Sequence, residues 1–127
     1  MRLEGGCHCG AVRYAVEVEP PLEVLACNCS ICSMTGFRHL IVEAEAFTLL
    51  AGEGAMTEYR FGTGKARHVF CGTCGIKSFY YPRSHPHGVS VNLACLPLPQ
   101  DVEVIETAFD GRNWEAAKAA LDAASSD

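Results

Sequence analysis

Long hydrophobic runs are absent from this sequence. No stretch of its 127 residues approaches the roughly 20 consecutive apolar residues that a membrane-spanning helix requires. The opening segment, MRLEGGCHCG, also lacks the apolar run of an export signal. We therefore expect a cytoplasmic protein with no membrane partner.

Basic residues are also scarce. The sequence has 10 Lys and Arg against 15 Asp and Glu, for a net charge of −5, and this field argues against nucleic acid as a partner. Its 12 glycines and 6 prolines are scattered, so no linker or low-complexity stretch divides the chain. Residues 1–127 are predicted to form a single domain with its own core.

What the sequence does have is cysteine, in clusters. The eight cysteines follow the patterns C-x-C, C-x-C-x2-C and C-x2-C, with one alone: Cys7 and Cys9; Cys27, Cys29 and Cys32; Cys71 and Cys74; and Cys95. In a reducing compartment thiols stay reduced, so clustered cysteines are better explained as metal ligands than as a disulfide framework.

The first and last pairs are predicted to share one ion. In an extended segment residues i and i+2 point to the same side, about 6.6 Å apart along the backbone, so Cys7 and Cys9 can converge. In the CGTCG segment, Gly72 and Gly75 are expected to take positive φ and to turn backbone amides toward the thiolates of Cys71 and Cys74. Four thiolates suit a closed, structural zinc site.

A redox role is the alternative for the C-x2-C pair. Such disulfide exchangers usually have a helix after the motif, which lowers the pKa of the first thiol. Here the following GIKSFYY has the pattern of a strand, which favours metal binding.

The middle cluster supplies three ligands, Cys27, Cys29 and Cys32, and no evident fourth. Three protein ligands with one exchangeable position are typical of a catalytic zinc, so we expect two zinc ions with different roles, the second of which need not be fully occupied. Cys95 is in phase with apolar neighbours and is interpreted as a core thiol, although it remains a candidate fourth ligand. No role is assigned to His39.

Alternating hydrophobicity dominates the rest of the sequence. Val12, Tyr14, Val16 and Val18 share one face of a predicted strand. Seven further segments are predicted as strands: LEVLA, HLIVEA, MTEYRF, ARHVF, IKSFYY, GVSVNLA and VEVIETAF. A helical period is seen at the end of the chain, in Trp114, Ala117, Leu121 and Ala124. The prediction is a mainly β protein with a short C-terminal helix.

The order of the cysteine motifs on a β-rich chain of this size resembles the glutathione-dependent formaldehyde-activating family, also called the GFA and centromere protein V family. The segments that carry the resemblance are GGCHCGAVRY, CNCSIC and FCGTCG, with YPRSHPHG and FDGRNWE most similar to the centromere protein V branch. It implies packed antiparallel sheets in a β-tent fold, stabilised by a structural zinc on Cys7, Cys9, Cys71 and Cys74. It also implies a second zinc on Cys27, Cys29 and Cys32.

The family's founding activity implies a zinc-dependent carbon-sulfur lyase that acts on S-hydroxymethylglutathione or a related thiol adduct, with chemistry centred on the second zinc. Glutathione carries two carboxylates, so its site needs cations, and Arg38, Lys77 and Arg83 lie near the cysteine clusters in the sequence. The alternative function is a non-catalytic zinc module that is structural or binds a partner. A labile ion in a redox or metal-delivery role is a third reading.

Overall fold

The computed structural model describes residues 1–125, which form ten strands and two α-helices. The strands are β1 (Arg2–Gly6), β2 (Arg13–Glu17), β3 (Leu22–Cys27), β4 (Arg38–Glu43), β5 (Phe47–Ala51), β6 (Met56–Tyr59), β7 (His68–Cys71), β8 (Phe79–Tyr80), β9 (Gly88–Asn92) and β10 (Val104–Phe109). The helices are α1 (Ser30–Thr35) and α2 (Trp114–Ser125).

Three sheets organise these strands, in the orders β1-β2-β5, β10-β3-β4-β9-β8 and β6-β7. All described pairings within them are antiparallel except that of β10 with β3, which is parallel. Backbone hydrogen bonds between Arg67 and Tyr81, 2.9 and 3.1 Å long, join the β6-β7 hairpin to the end of β8. The predicted mainly β, antiparallel architecture with a C-terminal helix is confirmed.

One apolar cluster connects the sheets. The face predicted for this strand is buried, since Val12, Tyr14 and Val16 are fully buried and Val18 is half-buried while Arg13 and Glu17 are exposed. The alternation is incomplete, because Ala15 on the other face is also buried. The Tyr14 ring meets Phe79 of the five-stranded sheet edge to face, with centroids 5.9 Å apart. The core therefore lies between the β1-β2-β5 sheet and the five-stranded sheet.

Several elements differ from the sequence-based expectation. Strands β1 and β5 were not predicted, and neither was α1, which lies inside the middle cysteine cluster. The C-terminal helix is confirmed as α2, and its residues Trp114, Ala117 and Leu121 are half-buried; the side chain of Ala124 lies outside the described residues.

Candidate metal centres

The first candidate centre brings together Cys7, Cys9, Cys71 and Cys74, as predicted, with all four sulfur atoms within 4.8 Å of one another. The Sγ atoms of Cys7 and Cys9 are 3.7 Å apart, and those of Cys9 and Cys71 are 3.6 Å apart. A tetrahedral zinc with bonds of about 2.3 Å requires sulfur-sulfur edges of about 3.8 Å. The four thiols therefore fit a closed tetrahedral ion.

A turn after β1, rather than an extended segment, sets the spacing of Cys7 and Cys9. The Gly10 amide donates to the Cys7 carbonyl over 3.3 Å, and the Val12 amide donates to the Cys7 sulfur over 3.2 Å. The expectation of an extended C-x-C was wrong, because these local hydrogen bonds fold the segment back on itself. The turn brings two sulfurs closer than the 6.6 Å backbone repeat of a strand would.

A second turn presents Cys71 and Cys74 at the end of β7. The amides of Thr73 and Cys74 donate to the Cys71 sulfur over 3.4 and 3.5 Å, and they lower the pKa of this thiol. Gly75 has φ of 77°, as predicted, whereas Gly72 does not have positive φ, so that part of the prediction was wrong. Backbone amides around a thiolate are the environment that steadies a structural site.

Cys95 lies beside this first centre. Burial raises the pKa of its thiol, and the neighbouring charges of Cys7 and Cys74 raise it further. The thiol of Cys95 therefore lies next to the first centre. Among the described residues it does not belong to the ligand group that contains Cys27 and Cys32.

The second candidate centre forms where β3 ends and α1 begins. Cys27 is the last residue of β3, Cys29 precedes α1, and Cys32 lies within α1. The ligand atoms of Cys27, Cys32 and His39 lie within 4.8 Å of one another, and Cys29 is not part of this closest set among the described residues. The middle cluster thus gains a histidine from β4.

His39 is the site residue that the sequence analysis missed. Its Nε2 lies 3.1 Å from the Cys32 sulfur, and its Nδ1 lies 3.0 Å from the Ser90 hydroxyl oxygen. The sequence does contain an indication of this contact, since only a short segment with Gly36 separates CNCSIC from HLIVEA. In the structure Gly36 ends α1 with φ of 68°. A six-residue helix followed by an antiparallel strand returns the chain to the cysteines.

The surroundings of Cys27 favour its thiolate form. The neighbouring Cys32 side chain lowers the pKa of Cys27 to about 6, against the opposing effect of burial, and the amides of Cys29 and Gly111 assist. The same contact, together with burial, raises the pKa of Cys32. These opposite shifts make Cys27 the more acidic thiol of the pair.

Gly111 reaches Cys27 because β3 and β10 are parallel. The register pairs Phe109 with Cys27, so both strands end at the same edge of the sheet. Asn28 then joins the two following loops, since its side chain donates to Asp110 over 2.9 Å and accepts from the Arg112 amide over 3.1 Å. Sequence reasoning missed this contact because it did not predict a parallel pair.

A cavity of about 270 Å³ opens beside the second centre. Its lining includes all three middle cysteines, two histidines and two residues from later in the chain: Cys27, Cys29, Cys32, His39, His68, Arg83 and Trp114. A concave site with a few convergent polar groups is the usual form of a small-molecule site. The first centre is not among the described residues that line this cavity.

A buried lysine lies near the second centre. Lys77 is 9% exposed, and its Nζ is 2.7 Å from Nδ1 of His68 and 4.1 Å from the centroid of the Tyr80 ring. Burial lowers the pKa of Lys77 to about 8, although the negative charges of Cys32 and Cys29 oppose this. Burial and the Lys77 charge lower the pKa of His68 to about 4, so its ring is neutral.

The three cations considered for glutathione lie in different surroundings. Arg38 forms an exposed ion pair with Glu106 at 2.8 Å and is not among the described residues lining the cavity. Lys77 is buried, as described above. Arg83 lines the cavity, stacks over the Trp114 ring at 3.5 Å and pairs with Glu115 at 2.9 Å. Only Arg83 of these three is a cavity-lining residue.

Comparison with known proteins identifies the family. Residues 2–110 match the family model described as "Glutathione-dependent formaldehyde-activating enzyme". This chain belongs to that family. Both cysteine centres of this GFA-family chain lie within the matched segment, which confirms the resemblance inferred from its motifs.

Two further proteins are similar to this GFA-family chain. A Halomonas elongata protein whose name provisionally describes a glutathione-dependent formaldehyde-activating enzyme is 54% identical over 114 residues, covering 80% of this chain and 72% of that protein. A crystal structure of a Rhodobacter sphaeroides protein, a structural genomics target, matches with a TM-score of 0.69 and 34% identity, covering 80% of this chain and 99% of that one. Within the described residues, no helix has the length and apolar character needed to cross a membrane.

Proposed function

We propose that this chain is a zinc-dependent, carbon-sulfur lyase-like enzyme that acts on an adduct of glutathione or another small thiol, of the S-hydroxymethylglutathione type. The observation that carries the proposal is the contrast between the two centres. Four thiols converge at the first, whereas Cys27 of the second lines a cavity and lies in surroundings that lower its pKa. The names of the family and of the Halomonas relative support the choice of substrate.

The donor sets suit zinc at both centres. Cys7, Cys9, Cys71 and Cys74 would hold a structural ion, and the middle cluster would hold the second. When bound there, zinc supplies a Lewis-acid position that keeps a substrate sulfur deprotonated.

Lys77 is the charge that favours a sulfur anion near the second centre. It is buried, it is influenced by the charges of Cys32 and Cys29, and with a pKa of about 8 it is mostly protonated at neutral pH. A cation in a poorly solvated position stabilises a nearby anion more than an exposed cation does. We therefore assign Lys77 to the sulfur rather than to a carboxylate of glutathione.

His68 is the proton donor that we assign to the aldehyde oxygen. Lys77 donates to Nδ1 of His68, so the neutral ring carries its proton on Nε2, and His68 lines the cavity. When the substrate thiolate bonds to the carbon of formaldehyde, the C=O π electron pair moves to oxygen, which gains this proton; Lys77 protonates Nδ1, and the proton that the thiol released restores Lys77. Cleavage of the adduct runs in reverse, and the electron pair of the broken bond stays on sulfur.

Arg83 is the candidate carboxylate contact. Its guanidinium is partly fixed by Trp114 and Glu115 at the cavity, whereas Arg38 is engaged by Glu106 elsewhere. A planar guanidinium can bind a carboxylate through two parallel hydrogen bonds. Arg83 would thus orient a glutathione carboxylate while the sulfur faces the second centre.

A non-catalytic zinc module is the second candidate, and the position of His39 favours it. If His39 and all three middle cysteines bind one ion, four protein ligands close the second centre. No position would then remain for a substrate sulfur.

We further propose that residues 1–127 are one domain that works in a reducing cytoplasm, because free clustered thiols persist there.

The test compares glutathione with S-methylglutathione, which has the same carboxylates and no thiol. Isothermal titration of the zinc-loaded protein should show heat for glutathione and much weaker heat for the methylated form. Proton NMR should then show S-hydroxymethylglutathione equilibrating with formaldehyde faster than without protein. Cys27→Ser should abolish this acceleration, and Cys95→Ser, beside the other centre, should retain it. No binding at millimolar glutathione would contradict the proposed function.

A further inference from the structure

We propose that His39 is a ligand of the second metal centre through Nε2, together with Cys27 and Cys32. This inference rests on the proposed function to the extent that it places a metal at the middle cluster. It assigns a histidine where the sequence motif offers only cysteines. The ligand atoms of these three residues already lie within 4.8 Å of one another.

The position of Nε2 suits ligation. It lies 3.1 Å from the Cys32 sulfur, and a tetrahedral ion bonded to sulfur at about 2.3 Å and to nitrogen at about 2.0 Å needs an edge of about 3.5 Å. The ring and the thiolate therefore need to separate by only about half an ångström when an ion enters. Each comes from a separate element, α1 for Cys32 and β4 for His39.

The other ring nitrogen is held as it is in metal-binding histidines. Nδ1 lies 3.0 Å from the Ser90 hydroxyl and 3.2 Å from the Tyr80 hydroxyl, and Ser90 is fully buried. A histidine that binds metal through one nitrogen almost always donates its other N–H to a fixed acceptor. With the proton on Nδ1, the lone pair of Nε2 faces the cysteines.

A satisfied core histidine is the structural alternative, and charge balance argues against it. Cys32 and His39 are each 3% exposed, so an ion here is poorly solvated. Zn²⁺ with two thiolates and a neutral imidazole has no net charge, whereas three thiolates leave one negative charge in a buried position. The neutral set costs less to desolvate and leaves a stronger Lewis acid.

The direct test is to read the ligands from scalar couplings in protein loaded with cadmium-113. Cadmium couples through its bonds to the Hβ protons of ligating cysteines and to the ring protons of ligating histidines. One cadmium signal should couple to the four cysteines of the first centre. The other should couple to Cys27, to Cys32 and to the ring of His39. A second signal coupled to cysteines alone would overturn the proposal.

The same spectrum separates this inference from the proposed function. If both His39 and Cys29 couple to this cadmium, the histidine is a ligand. Four protein ligands then fill the centre, which contradicts the thiol-binding function. Coupling of His39 without Cys29 supports both. Absence of a second cadmium signal overturns the metal at this cluster and the inference with it.

Variants provide an independent measurement through metal content. His39→Ala should lower the zinc content from two ions per chain to one, while His68→Ala, the other buried histidine of the cavity, should keep two. Ser90→Ala leaves the ligand in place but removes its orienting hydroxyl, so it should weaken zinc at this centre by about 10- to 100-fold. Equal zinc affinity in Ser90→Ala and the wild type would contradict an oriented histidine ligand.

Discussion

The backbone of Gly111 lies so close to the Cys27 sulfur that a Cβ atom at position 111 would be 2.5 Å from it. The same Cβ would be 2.9 Å from the Cβ of Cys29. Gly111 thus packs against the second centre from the side of β10, and its amide helps to lower the pKa of Cys27. A residue remote in sequence from all of the cysteines is part of the surroundings of this cluster.

Substitution of Gly111 should therefore damage the second centre selectively. We expect Gly111→Ala to displace Cys27, to remove the second zinc and to destabilise the fold by about 1–3 kcal/mol through overpacking. Zinc per chain and the thermal unfolding midpoint measure the two effects. Gly54→Ala is the matched control, because a Cβ there meets nothing within 4 Å. Two zinc ions in Gly111→Ala would show that the contact is unimportant.

The two centres should respond differently to loss of a thiol. Cys71 is 1% exposed and links the β6-β7 hairpin to the turn after β1, so Cys71→Ser should lower the free energy of unfolding by roughly 3 kcal/mol or more. Cys27→Ser should abolish activity with a much smaller loss of stability. Urea unfolding of both variants measures this difference, and equal losses would indicate that both ions are structural.

The buried histidine His68 should make stability depend on pH. Its pKa of about 4 in the folded state lies below the ordinary value of 6.5, so the folded protein binds this proton less readily than the unfolded chain does. Its contribution to stability is complete above pH 6.5 and is lost as the pH falls toward 4. His68→Gln, which keeps a hydrogen-bond acceptor for Lys77, should reduce this loss by on the order of 2 kcal/mol.

Unfolding by urea at pH 7.0, 5.5 and 4.5 measures the effect of His68. Release of metal in acid affects the wild type and His68→Gln alike, so the difference between their slopes isolates the histidine. Parallel slopes would mean that His68 titrates normally in the folded protein.

Arg83 and Arg38 should differ in their effect on the substrate. Loss of a charge-assisted hydrogen bond to a carboxylate costs about 1.5–3 kcal/mol, so Arg83→Gln should raise KM for glutathione by about 10- to 100-fold. Arg38→Gln should leave KM unchanged, because Arg38 is not among the described residues that line the cavity. Steady-state kinetics with both variants decide this, and an equal KM for the two would remove Arg83 from the substrate site.

Local patterns in the sequence were sufficient for much of the fold. Alternation identified β2 and its buried face, and the cysteine spacings identified two groups of ligands. The glycine-rich sequence GTGK, residues 62–65, is typical of a turn, and it lies between the antiparallel strands β6 and β7. These features depend on neighbours within a few residues, which sequence periodicity reports directly.

Features that depend on tertiary pairing could not be predicted in this way. His39 reaches Cys32 through the antiparallel pairing of β4 with β3, and Gly111 reaches Cys27 through the parallel pairing of β10 with β3. Neither register is visible in local periodicity. The turn at Cys7 and Cys9 was misjudged because its hydrogen bonds to Gly10 and Val12 outweigh the extended preference of the preceding strand.

The central claim is that the middle cluster accepts the sulfur of a thiol substrate while the first centre does not. The most direct measurement is the absorption spectrum of the protein with cobalt in both centres, titrated with glutathione. We predict a stronger sulfur-to-cobalt charge-transfer band with glutathione, no change with S-methylglutathione, and loss of the response in Cys27→Ser. An unchanged spectrum at millimolar glutathione, or the same response to both compounds, would contradict the claim.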